Sequence, residues 1–149
     1  MYEIKRIKKS IFLLDYHIMI TNDIWYKSLK KSNLTPPDYV FGYIWTILYI
    51  MMFFSLIKYL TTNKKNKKNK IGLIFFTIQL FFNVIWSPIF FKYRDIKKGL
   101  YVLIALWISL MITFNIFYKK NKEAGLLLIP YLVWSSFALY LNYYIMVSN

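Results

Sequence analysis

The chain has 149 residues, of which 58% are hydrophobic and 21% aromatic, and it carries a formal net charge of +14. Soluble domains hold roughly 45–50% apolar residues, and here the excess is gathered into uncharged blocks, which excludes an ordinary soluble globule. No cysteine is present and His17 stands alone, so disulfides, thiolate chemistry and a histidine-built metal site are excluded as well.

In chain order, a basic run (Lys5, Arg6, Lys8, Lys9) precedes SIFLLDYHIMI at 10–20. That order imitates a signal peptide, but no small-residue cleavage site follows. We read residues 10–24 as a short first span, with an interfacial helix as the alternative. Uncharged blocks follow at 39–57, 71–91, 99–118 and 124–147. A hydrocarbon core about 30 Å thick needs roughly 20 such residues as a helix. The strand alternation of a membrane barrel is missing, and so is the charged face of a soluble helix. The expected fold is therefore all-α: a polytopic five-helix transmembrane bundle in one domain, with spans near 10–24, 38–58, 71–91, 99–118 and 125–147.

The cations sit in the connections. With five spans, 13 Lys and Arg fall on the N-terminal side and 7 on the other, so the positive-inside rule puts the N-terminus in the cytoplasm and the C-terminus outside. The run NKKNKKNK at 63–70 then reads as a loop at an anionic membrane surface and not as a nucleic-acid patch. The uncharged blocks of spans two to five contain no Asp, Glu, Lys or Arg, unlike the relays of ion-coupled pumps. No nucleotide fingerprint or nucleophile–histidine pair is found. The remaining chemistry is that of indoles, phenols and amides.

Those groups follow helical spacing. Phe41, Trp45, Tyr49 and Met52 share one face of the second span, and Gln79, Asn83, Trp86 and Phe90 one face of the third. In the last span Pro130, Trp134 and Phe137 form a stripe beside Tyr131, Ser135, Ala138 and Asn142. Trp107 and Trp134 lie too deep in their blocks for an interfacial aromatic belt. From spacing alone the amides serve equally well as hydrogen bonds between helices or as the polar groups of a ligand pocket. Pro88 stands where its span ends or kinks. Thr35 is a candidate cap for the second helix, with Pro36 in its first turn and Asp38 near its positive end.

The strings TPPDYVFGYIWTILY (35–49), IQLFFNVIWSPIFF (78–91) and PYLVWSSFALYLNY (130–143) resemble, in order and separation, the tryptophan-rich sensory protein or TspO/MBR family, which includes the mitochondrial translocator protein. The resemblance spans about residues 25–146. It implies a five-helix bundle whose inter-helix pocket is closed by the first loop and binds tetrapyrroles such as protoporphyrin IX, with sterol or lipid as further ligands and a homodimer as assembly. By motif, Trp45 and Asn83 would hydrogen-bond the ligand and Trp134 and Ala138 would line the wall. Tyr49, Trp86 and Phe90 would lie nearby, with Phe41 and Trp107 completing the aromatic set. Gln79 and Asn142 read as packing groups. Lys27, Lys30 and Lys31 are available to the propionates of a porphyrin whose π-face stacks on Trp and Tyr.

The chain departs from the family pattern at several points. Ser32, Asn33 and Leu34 alter the first loop, Tyr39 and Tyr43 replace a common tryptophan and proline, and no basic residue follows LNYY, which lowers the sterol reading. The third span also lacks small-xxx-small spacing for close dimers. The expected function is a porphyrin-binding sensor or carrier that needs no cofactor or metal and binds no nucleic acid. The alternatives are a light-dependent porphyrin-degrading enzyme using Trp45 and Trp134, or a structural membrane protein with a decayed site. The expected location is the bacterial cell membrane, since no organelle leader is evident.

Overall fold

The computed structural model describes residues 24–62 and 68–149, and among them every regular element is a helix. The short α1 (Ile24–Ser28) is followed by α2 (Asp38–Thr61) and α3 (Lys68–Ser87), which runs on into a π-helical turn, Pro88–Lys92. Then come α4 (Ile96–Lys120), the short α5 (Lys122–Leu126) and α6 (Ile129–Ser148). Four stretches, 38–61, 70–92, 96–120 and 122–148, are long and apolar enough to cross a membrane. At 1.5 Å per residue, 20-odd residues reach roughly 30 Å. The described residues form an all-α membrane bundle of four long helices, with α1 and α5 as two short ones. The expected first span lies outside the described residues, apart from Ile24.

The helix ends follow from local chemistry, with two corrections to the sequence reading. Thr35 does not cap α2. The helix starts at Asp38 behind Pro37, which lies extended (φ −55°, ψ 146°) and makes no side-chain cap; Pro36 is not in the first turn either, because Pro37 holds the residue before it out of the helical region. The last span is not one helix. α5 ends at Leu126, Leu127 and Leu128 turn, and α6 restarts with Pro130 in its first turn, where a missing N–H costs nothing. The Pro88 expectation is met by widening: its absent N–H opens the helix, and Tyr93 N–H donates to Pro88 O at 3.0 Å. Arg94 takes a left-handed conformation (φ 53°), and Asp95 caps α4 by accepting from Lys98 N at 2.9 Å. That bond, with the Lys98 ammonium beside it, holds the Asp95 carboxyl below its ordinary range.

α4 is the centre of the bundle. It packs along α3 on one side and α6 on the other, and 39% of its apolar window is buried against 17% for α2. Leu103, Leu106, Leu110 and Phe117 form its buried stripe. The buried hydroxyls of Ser109 and Thr113 donate to carbonyls one turn back, which satisfies them inside the helix.

One end of the bundle is firmly closed. Tyr59 stacks on Phe117 (3.9 Å, 7°), and Phe117 lies parallel to Phe76 (5.7 Å). Gly72 makes room for the Tyr59 ring. Ser55 Oγ donates to Ala124 O at 2.6 Å, Lys120 Nζ to Tyr59 O at 2.6 Å, and Asn121 Nδ2 to Thr62 Oγ1 at 2.8 Å. Lys58 and Glu123 form an ion pair there. At the opposite end Arg94 lies over the Trp25 ring and Lys30 meets Asn149. The connections thus segregate to two ends as the charge pattern predicts.

Candidate functional site

At the second end the helices are separated by side chains, and a cavity lies among them. Its wall comprises Phe41 and Trp45 from α2, Asn83 and Trp86 from α3, Leu103 and Leu106 from α4, and Trp134 and Ala138 from α6. Each helix contributes residues three or four apart, so each presents one face. The rings interlock across helices: Phe41 meets Trp134 edge-on at 5.5 Å, and Trp45 meets Tyr131 at 6.0 Å while stacking on Tyr49 at 5.7 Å.

Asn83 is the polar centre of this wall. Its Oδ1 accepts from Tyr49 Oη at 2.7 Å, and its Nδ2 donates to Tyr131 Oη at 2.8 Å. The two roles that spacing left open, helix packing and pocket lining, fall on the same residue. A carboxamide buried in an apolar bundle is tolerated when both its ends are bonded, and the two phenols do that while tying α2, α3 and α6 together.

Of the predicted site residues, the structure brings Phe41, Trp45, Asn83, Trp86, Trp134 and Ala138 into the wall. Tyr49 acts one step back, through Asn83. Phe90 is buried, but in a neighbouring cluster with Trp25 and Tyr26, stacked on Trp86 at 5.2 Å. Trp107 is not in the wall; its Nε1 donates to Ser136 Oγ at 2.8 Å in an exposed bond between α4 and α6. Leu103, Leu106 and Tyr131 were not foreseen. The leucines resemble any lipid-facing leucine in sequence. Tyr131 had a usable signal, standing one turn before Trp134 and Ser135.

Gln79 and Asn142 take packing positions. Gln79 is fully buried with Nε2 3.9 Å from Met52 Sδ. The Asn142 amide, turned to match its neighbours, accepts from Trp86 Nε1 at 3.3 Å and donates to Ile96 O at 3.2 Å.

The first loop crosses α6 at this end. The Lys30 backbone exchanges two hydrogen bonds with the Asn149 side chain (2.9 and 3.1 Å), and Ser32 Oγ lies 3.2 Å from Tyr140 Oη. Lys31 Nζ sits 3.7 Å from the centre of the Tyr26 ring. Partial burial lowers the Lys31 pKa, opposed by the nearby Asp38 charge, and burial pushes the Tyr26 phenol up to about 12. Lys27 and Lys30 are exposed. None of the three lysines lines the cavity wall.

The TspO/MBR family model matches residues 11–147, nearly the whole chain. The chain belongs to the TspO/MBR family. It is 42% identical over 125 residues to the tryptophan-rich protein TspO of Chlorobaculum tepidum, covering 84% of this chain and 79% of that one. It is 35% identical to protein CrtK of Rhodobacter capsulatus (80% and 74% covered) and 32% identical to the human translocator protein (84% and 75%). The family's membrane character agrees with the four long apolar helices.

Proposed function

We propose that this TspO/MBR membrane protein binds a tetrapyrrole between its helices, as a sensor or carrier. The observation that carries the reading is the convergence of three indoles and one carboxamide, from three helices, on a single cavity. Small-molecule pockets are mainly apolar with a few placed polar groups, and a macrocycle's π-face stacks well on indoles. Lys27, Lys30 and Lys31 lie in the segment that crosses this end, suited to carboxylates left at the mouth. The lining side chains include none that exchanges a proton near neutral pH, which favours a binder over an acid–base enzyme. The positive-inside rule assigns the Lys58 and Lys120 end to the cytoplasm and the cavity end to the far side of the cell membrane.

The cavity measures about 40 Å³, room for a few waters at roughly 10–15 Å³ each, whereas pockets for drug-sized ligands measure roughly 300–1,000 Å³. Binding therefore requires the walls to part. α2 is the element suited to move: Ser55, Lys58, Tyr59 and Thr62 anchor its last turns, while its first half is held by ring contacts and the Tyr49 hydroxyl.

The test is a tryptophan-fluorescence titration of detergent-purified protein with protoporphyrin IX, beside Trp45→Phe and Asn83→Ala, with free tryptophan as inner-filter control. Saturable quenching weakened by both changes supports the reading. Linear quenching, or quenching that neither change touches, overturns it.

A further inference from the structure

The polar groups around the cavity are unequal in kind. Four lining residues carry hydrogen-bonding side chains: Trp45, Trp86, Trp134 and Asn83. An indole N–H donates and cannot accept, so among the described residues the only side-chain acceptor in the wall is Asn83 Oδ1, and Tyr49 Oη already takes one of its two lone pairs at 2.7 Å. One Asn83 amide proton goes to Tyr131 Oη, and Nδ2 keeps a second proton. Trp86 Nε1 is engaged by Asn142. Trp134 Nε1 is buried and finds no hydrogen-bond partner among the described residues. A buried donor left unbonded is costly, and such groups in native proteins call for an explanation.

We infer that the cavity sorts flat apolar molecules by hydrogen-bond sense. It accepts those whose buried edge carries an acceptor, such as a carbonyl or imine nitrogen, and disfavours equal-sized ones whose buried edge carries a donor. Trp134 supplies the donor that an acceptor edge satisfies. Tyr49 strengthens the bias by taking one of the two lone pairs of the wall's acceptor. A donor edge would find one remaining lone pair among several donors and away from it would lose the partner it had outside, the condition under which polar sites discriminate most strongly. The inference rests on the reading that aromatic ligands enter this cavity, and it names the chemistry that reading leaves open.

Acridine, carbazole and anthracene are flat tricycles of nearly equal size that carry one acceptor, one donor and neither. Each is titrated into the full-length protein in lipid nanodiscs at mildly alkaline pH, where acridine is uncharged. Lipid-only nanodiscs correct for partitioning, and protoporphyrin IX is run in parallel. Acridine is expected to bind about tenfold tighter than carbazole. Trp134→Phe, which keeps the ring and removes the N–H, should bring that ratio towards one. Tyr49→Phe, which uncaps Asn83 Oδ1, should shift the ratio in favour of carbazole. A merely structural role for either residue would weaken all three tricycles together and leave the ratio unmoved, and that result overturns the inference. So does a wild-type ratio near one. If anthracene and protoporphyrin IX still saturate in either case, the aromatic site stands without the sorting rule. Saturation by protoporphyrin IX with no tricycle bound overturns the rule for this cavity, and no saturable binding of any of the four overturns both readings.

Discussion

Replacing Asn83 by leucine keeps the side-chain volume nearly constant and removes both hydrogen bonds that join α2, α3 and α6. Inter-helix hydrogen bonds in membranes are each worth about 0.6–1.7 kcal/mol. Tyr131 is fully buried, so its stranded hydroxyl adds about 1–3 kcal/mol. Tyr49 is 44% exposed and can turn away at lower cost. Burying leucine in place of an amide recovers part of the loss, leaving a net destabilisation of about 2 kcal/mol. The assay is reversible SDS unfolding in mixed micelles, followed by tryptophan fluorescence and helical circular dichroism. Asn83→Leu, Tyr131→Phe and their combination close a double-mutant cycle. If the Asn83–Tyr131 bond holds the helices, the double mutant loses less than the two singles combined, by about 1 kcal/mol. Strictly additive losses would refute the reasoning and return Asn83 to the cavity alone.

Gly72→Ala sets a methyl group against Tyr59 Oη and 2.8 Å from its Cζ; the ring cannot retreat because Phe117 is stacked on its face. Overpacking of about 1–3 kcal/mol, less about 1 kcal/mol of helix propensity, should lower stability by up to about 2 kcal/mol in the same unfolding assay. Asp95→Ala removes the α4 cap. Because the folded carboxyl titrates below its ordinary 3.8, the stability it contributes is complete above that value and is lost as pH falls through the folded pKa. The difference between wild type and Asp95→Ala should stay constant near neutrality and shrink only on acidification below the ordinary value. A difference that changes near pH 7 would contradict this (neutral pH lies well above both carboxyl pKa values). Trp107→Phe should leave porphyrin affinity unaltered while Trp134→Phe lowers it, as read by titration; equal losses would place Trp107 in the site after all.

Much of this molecule is legible in one dimension because a bilayer imposes a one-dimensional test. A segment that crosses hydrocarbon must be apolar for about 20 residues and must satisfy its own backbone. The blocks at 39–57, 71–91, 99–118 and 124–147 therefore announce their helices, and the lysines mark the connections. Helical periodicity likewise places Phe41, Trp45 and Tyr49 on one face, as it does Gln79, Asn83 and Trp86. Periodicity stops at the helix axis, because it says which residues share a face and not what that face meets. Trp107 and Trp134 are both indoles deep in apolar runs, yet the rotation of α4 turns Trp107 to Ser136 and brings Leu103 and Leu106 to the cavity instead. Phe90 continues the face of Asn83 and Trp86, but the widened turn begun by Pro88 carries it into the cluster with Trp25 and Tyr26.

The sequence by itself determined the solvent, the long helices, the family motifs and the residue types that meet in the site, since each depends on local composition and spacing. The tertiary structure alone decided that Asn83 is shared between Tyr49 and Tyr131, that the Trp134 N–H finds no partner among the described residues, and that α2 is anchored at one end and held by rings at the other. Those facts depend on distances between residues 34 to 93 positions apart in the chain, and such distances are set by how helices pack.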